Sequence, residues 1–273
     1  MKWSRPAVLV NGALAIAASL TLFPLLWMTA VSFMPAGGTS VFPPPLLPEH
    51  WTLANYRQLF AQQQMGRYFV NSVIVSSAAT VLSLLLNGLA GYAFAKLRFA
   101  GRDRLMRLLL AGLLVPAQVA MIPLFWVMKM LGLVNSYAAV VVPAMAGIFG
   151  IFLVRQYALS LPDDLIDAAR LDGASELRIF RSIVLPLLVP ILVTLAIFTF
   201  LGTWNDFMWP LIVLSDRDLQ TLPVALAGMS REHVQDSELM MAGSVVTILP
   251  VIAIFVTLQR HYIQGIIMGS VKG

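Results

Sequence analysis

The chain contains no cysteine, so no disulfide, thiolate metal site or thiol redox pair is available. Histidine is nearly as scarce. His50, His233 and His261 stand far apart and share none of the short spacings of metal ligands. Charge is thin: Asp, Glu, Lys and Arg make up 11% of the residues, against about 25% in soluble domains. No Gly-x-Ser-x-Gly elbow, His-Glu-x-x-His pair or Gly-Lys-Ser/Thr phosphate loop occurs. These absences argue against an enzyme and against ATP hydrolysis by this chain. They leave it with no cofactor or metal of its own.

What the chain has in abundance is apolar residues, 59% of its 273 positions. They come in blocks long enough to cross a bilayer, which takes about 20 residues per helix. Six spans are expected, at roughly 7–33, 69–95, 105–129, 137–157, 183–204 and 241–261. The first continues too far to be a signal peptide, whose apolar core runs about 7–15 residues, and is expected to stay as a helix. The expected fold class is an all-α membrane protein, with residues 1–273 forming a single transmembrane domain. Five of the six spans carry proline in or at the mouth of the helix, which points to bent helices around a cavity.

Basic residues set the expected topology. With the amino terminus in the cytoplasm, thirteen of the eighteen Lys and Arg residues fall on inner segments and five on outer ones. Both termini are then cytoplasmic. Outer loops are expected at about 34–68 and 206–240. The net charge of +5 is accounted for by this sidedness, so no nucleic-acid partner is expected; the lipid membrane is the partner. The middles of the spans carry no ionisable residue, and Asn11, Asn71, Asn87 and Gln118 are their main polar side chains. Pumps and secondary carriers usually bury carboxylates, lysines or histidines there. Any work of transport is therefore expected to come from another subunit.

One inner loop, about 159–186, departs from the oily background. Asp163, Asp164, Asp167, Arg170, Asp172, Glu176, Arg178 and Arg181 crowd into it. Ser160 is a candidate helix cap, Pro162 suits a first turn, and Asp163 and Asp164 suit the positive end of a helix dipole. Leu165, Ala168, Ala169 and Leu171 suggest a small apolar face. Gly173 suits a left-handed stop, and Ser175 a second helix start, after which Leu177, Phe180, Ile183 and Val184 suggest another apolar face. The expected unit is helix, sharp turn, helix. Residue by residue, this pattern suits either a rigid contact with a protein groove or an amphipathic helix lying on lipid.

The stretch DAARLDGASELRIFRSIVLP resembles the EAA loop of ATP-binding-cassette (ABC) importer permeases. That pattern sets an acidic residue, two alanines, a glycine, an isoleucine, a leucine and a proline at fixed spacing. Asp167, Ala168, Ala169, Gly173, Ile183, Leu185 and Pro186 match it here, with Asp167 in place of the usual glutamate. TLANYRQLF, NGLAGYAFAKLRFAGR, TWNDFMWPLIVL and QGIIMGSVKG, in that order, extend the resemblance to the sugar (maltose/maltodextrin-type) permeases over nearly the whole chain.

The resemblance implies a type I ABC importer-like fold in the bacterial cytoplasmic (inner) membrane. It implies half of a pathway for a sugar or oligosaccharide, with a second related permease, two ATPase subunits holding ATP and Mg, and an extracytoplasmic solute-binding protein. The loop around Asp167–Gly173 would couple to the ATPase, and Gly269 and Lys272 in the tail would reach towards it. Trp204, Asn205 and Asp206 are candidates for the substrate path. Glycerol phosphate or a polyol is an alternative cargo, and a self-sufficient carrier or channel an alternative mechanism.

Overall fold

A backbone immersed in lipid must satisfy its own hydrogen bonds, and this chain does so with helices alone among its described residues. The structure is a computed structural model that describes the backbone of residues 5–232 and 236–270, and the side chains of 10–229 and 236–257. Five stretches are long and apolar enough to cross a membrane: Val10–Val31, Met65–Lys96, Tyr137–Leu159, Glu176–Trp204 and Ser237–Thr257. A sixth crossing exists only if the bent pair Arg102–Gly112 and Ala117–Met130 counts as one.

That pair occupies the span expected over 105–129 and is sharply bent. Helices α4 (Arg102–Gly112) and α5 (Ala117–Met130) meet at 109°. Pro116 stands at the start of α5. It has no N–H to give to the preceding turn, and it drives the residue before it out of the helical region. The span over 137–157 is also interrupted. Helix α6 (Tyr137–Ala144) contains Pro143, and α7 (Ile148–Leu159) restarts after Gly147.

The residues group into two compact units. The first comprises Met1–Arg67 and Ala225–Pro250. It holds α1 (Arg5–Val31), α2 (Ala54–Ala61), most of α12 (Leu222–Glu232) and the start of α13 (Ser237–Ser270), as far as Pro250. Helix α1 is apolar on all sides, with Leu14, Leu20 and Leu26 more than half exposed, as suits a helix facing lipid. The segment after it is tied down by polar side chains. Asn55 donates to the carbonyls of Ser32 (2.9 Å) and Met34 (2.8 Å). Buried Glu238 accepts from the Thr39 N–H at 2.6 Å and the Thr39 hydroxyl at 2.7 Å.

The second unit comprises Tyr68–Val224 and Val251–Gly273. Its organiser is α3 (Met65–Lys96). Gly91 lets α3 approach α7 closely, since a Cβ there would lie 2.6 Å from Val154 and 3.0 Å from the Arg155 backbone. Near the other end of α3, Asn71 donates to the carbonyls of Asp218 and Gln220, both at 2.9 Å, and accepts from the Tyr137 hydroxyl at 2.6 Å. Two apolar cores result. One gathers Tyr92, Val154, Ile166, Phe180 and Leu188. The other gathers Val75, Met128, Val140, Trp209 and Val213.

Candidate functional site

The loop after α7 folds as α8 (Asp163–Leu171), a glycine turn and α9 (Glu176–Ile179). Gly173 has φ of +78°, the left-handed region where a side chain costs energy. Around it the Ala174 N–H donates to the Ala169 carbonyl and the Gly173 N–H to the Arg170 carbonyl, both at 3.0 Å. These are the two bonds of a Schellman stop. The capping expectation is corrected in detail. Ser160 closes α7 by donating to the Tyr157 carbonyl at 2.7 Å, and Pro162 takes the cap position of α8. Proline has no N–H to leave unsatisfied there.

The charges brace the turn. Arg170 donates to Asp167 at 2.9 Å and reaches across Gly173 to Glu176 at 2.7 Å. Glu176 also accepts from the Tyr92 hydroxyl at 2.7 Å. Lys96, one helical turn beyond Tyr92 on α3, donates to the Leu161 carbonyl and to Asp163, both at 2.6 Å. The loop is thus pinned to the last turn of α3 on both sides of α8. The bonds to Glu176 and Asp167 hold Arg170 more firmly protonated than usual, and Lys96 keeps the Asp163 carboxyl below the usual carboxylate range.

The apolar face of α8 is not the expected one. Ile166 is buried and Ala169 packs beside it, because these two meet the core beneath. Leu165 and Ala168 point outward, and Leu171 is 90% exposed. On α9, Ile179 is buried while Leu177 is 61% exposed. Three leucines are therefore presented on a rigid, charged loop. Beyond α9, a single wide π-type turn, Phe180–Val184, leads into α10 (Leu185–Trp204). The turn falls just ahead of Pro186, which has no N–H to continue the ordinary ladder. Ile183 and Leu185 are partly buried, and Pro186 is exposed.

A second feature is a cavity of about 390 Å³ in the same unit, walled by α3, α5, α6, α7, α10 and α11 (Met208–Val213). Ser83, Asn87, Thr199 and Asp206 supply polar groups, and Phe149 and Phe198 supply aromatic surface. The two rings meet edge to face at 5.9 Å. Asn87 donates to Ser83 Oγ at 2.7 Å, and Ser83 pairs with the Thr199 hydroxyl at 3.2 Å. Gly150 makes room for this chain, since a Cβ there would lie 2.7 Å from Asn87 Nδ2.

The candidates for the substrate path separate. Trp204 is fully buried, stacked on Phe200 and edge-on to Phe69. Asn205 is exposed and donates back to the Leu201 carbonyl at 2.9 Å. Asp206 lines the cavity and accepts from the Trp209 N–H at 3.3 Å; burial nonetheless pushes its carboxyl above the usual range. In the tail, Lys272 lies outside the described residues, and Gly269 is described only as backbone of α13. Tyr92, Lys96 and Glu176 escaped sequence reasoning as a brace. The only sequence signal was the helical i, i+4 spacing of Tyr92 and Lys96, which does not say what they face. Among the described residues no cluster of His, Asp and Glu could hold a metal ion.

Comparison with known proteins adds the relationship. Residues 87–268 match the family described as binding-protein-dependent transport system inner membrane component. An arabinooligosaccharides transport system permease protein of Halalkalibacterium halodurans is 41% identical over 266 residues, covering 95% of this chain and 94% of that one. A diacetylchitobiose uptake system permease protein of Streptomyces coelicolor is 32% identical, covering 98% and 90%. A lactose transport system permease protein of Rhizobium radiobacter is 33% identical, covering 98% and 97%. In fold, the chain matches a crystal structure of a bacterial ABC transporter involved in the import of the acidic polysaccharide alginate. The TM-score is 0.84, at 22% identity over 95% of this chain and 99% of that one. A multi-pass helical chain with this fold, matched along most of its length, belongs to the family of binding-protein-dependent transport system inner membrane components.

Proposed function

We propose that this chain is the permease subunit of an ABC importer for a sugar or oligosaccharide. It forms half of the pathway as one permease domain of six spans, counting α4 and α5 as one, with both termini in the cytoplasm of a bacterial inner membrane. A second, related permease completes the pathway. Two ATPase subunits carry ATP and Mg, and a solute-binding protein delivers cargo from outside. The permease itself catalyses no reaction.

The observation that carries this reading is the loop between α7 and α10. Leu165, Leu171 and Leu177 stand exposed on it, while Arg170, Glu176, Tyr92 and Lys96 hold it rigidly to α3. A passive surface helix needs no such brace. A lever driven by another protein needs both an apolar contact and a stiff mounting. Asp167, Ala168, Ala169 and Gly173 sit on the lever, and Ile183, Leu185 and Pro186 lie where it enters α10. Closure of the ATPase pair would push on the leucines and shift α3 and α10 together. The tail at Gly269 and Lys272 is assigned a secondary contact with the ATPase.

Gentle purification of the tagged chain, with mass spectrometry of what accompanies it, tests this. A second permease and a phosphate-loop ATPase are expected to co-purify. Recovery of the chain alone and intact from several detergents would overturn the reading.

A further inference from the structure

Two asparagines on α3 differ in a way that bears on cargo. Asn71 has a partner for both ends of its amide. Asn87, only 1% exposed, has one: its Nδ2 reaches Ser83, and its Oδ1 has no partner. Leaving a buried acceptor unpaired is unfavourable. Among the described residues two other buried side-chain atoms share this state, the hydroxyls of Ser76 and Thr221, but of the three residues only Asn87 lines the cavity.

The cavity around it has a distinct chemistry. Its volume falls within the range of small-molecule sites, roughly 300–1,000 Å³. Phe149 and Phe198, each about half exposed, offer apolar ring surface. The Asn87–Ser83–Thr199 chain offers an amide and two hydroxyls, and Asp206 a carboxylate. Among the described residues its lining includes no Lys, Arg or His, and its one ionisable group is an acid. Aromatic surface beside hydroxyl and amide groups suits a sugar ring, which is apolar on its faces and hydroxylated at its edge. A single carboxylate accepts from hydroxyls and repels a carboxylate or phosphate on the ligand.

We infer that this cavity is a subsite for a neutral saccharide, contacted by this chain itself, and that it disfavours acidic sugars and sugar phosphates. The inference rests on the sugar-import reading above and narrows it. Phe149 and Phe198 pack against the ring. Thr199 and Asp206 bind hydroxyls. Asn87, whose Oδ1 is enclosed and without a partner, holds Ser83 and through it Thr199 in place behind the ring.

The absence of cysteine makes a direct test possible, because one introduced thiol is the only thiol in the chain. Gly202 and Gly147 line the cavity, and a Cβ at either meets nothing within 4 Å. Gly202→Cys, with Gly147→Cys as an independent second variant, is labelled in membranes holding the whole transporter. The reagents are methanethiosulfonates bearing either an ethylammonium or an ethylsulfonate group. The cationic reagent is expected to react on the order of tenfold faster, and Asp206→Asn to abolish the preference. Arabinotriose, chitobiose, lactose and trigalacturonate are then compared, with uptake measured on the same membranes. A neutral sugar that is taken up should slow labelling about tenfold at ten times its half-saturating concentration, while trigalacturonate gives no protection.

Uptake of a neutral sugar without protection of either thiol would overturn the subsite and leave the import reading standing. Thiols closed to both reagents in the transporter, yet open in the isolated chain, would mean that the second permease fills the cavity, which also overturns the subsite. Equal protection by trigalacturonate would overturn the neutral selectivity. Uptake of none of the neutral sugars would overturn the import reading itself.

Discussion

The loop at 159–186 and the cavity beside Asn87 belong to the same unit and handle polarity in opposite ways. The loop is dense in charge, and its central charges are paired: Arg170 with Asp167 and Glu176, and Lys96 with Asp163. Its polar groups are spent on rigidity, and what it leaves uncovered is leucine. Among the described residues the cavity carries a single ionisable side chain, and the oxygen of its buried amide has no hydrogen-bond partner. On the proposed reading the loop is pushed and must hold its shape, which its internally closed hydrogen bonds allow. On that reading, the difference separates coupling from recognition within one chain.

The largest effect expected from breaking this contrast is at the turn. Gly173→Val puts a β-branched residue at a φ of +78°, a left-handed conformation that costs about 1–2 kcal/mol. Uptake should fall by roughly tenfold, the factor that 1.4 kcal/mol represents, while the chain still inserts and the ATPase still turns over. Gly173→Asn, which tolerates this backbone, should recover part of the loss. Equal uptake by both variants and the parent, measured in the same vesicles, would remove the turn from the coupling path.

An intermediate effect is expected in the cavity. Asn87→Leu removes the unpaired acceptor with little change in shape. Thermal stability in detergent should hold or rise, by up to about 1 kcal/mol, while saccharide uptake falls. A clear drop in melting temperature would make Asn87 a structural residue instead.

The smallest effect concerns an exposed pair. Lys96 holds Asp163 below the usual carboxylate range. Such a carboxylate adds stability above the ordinary carboxylate pKa and loses it as pH falls through its own lowered value. Melting temperature should therefore decline slightly on acidification, and Asp163→Asn should flatten that slope. Because Asp163 is solvent-exposed, the change should also shrink in high salt.

The loop was legible in sequence because its determinants are local. Asp167, Ala168, Ala169, Gly173 and Pro186 act on the backbone within a few residues of themselves, so their spacing alone indicates helix, stop and entry into α10. The face they bury was not legible. Ile166 lies inward, in place of Leu165 and Leu171, because Tyr92 and Phe180 arrive from elsewhere to meet it. Within 105–129 the prolines signal a bend, but its size of 109° is not legible, because proline removes a helical bond without fixing the direction in which the chain resumes. The cavity was the least legible. Asn87 stands out in an apolar run while Gly150 and Thr199 do not, and what the three do together depends on mutual distance.

The sequence by itself determined that this chain lives in a membrane, that it crosses as helices, and that one charged loop differs in kind from the rest. Each of these follows from composition and short-range spacing, which act through solvation and backbone sterics. Only the tertiary structure decided which leucines the loop presents, which side chains mount it on α3, and which of two asparagines is left unpaired. Those depend on contacts between residues far apart in the chain, and helix periodicity does not specify which helix will lie opposite.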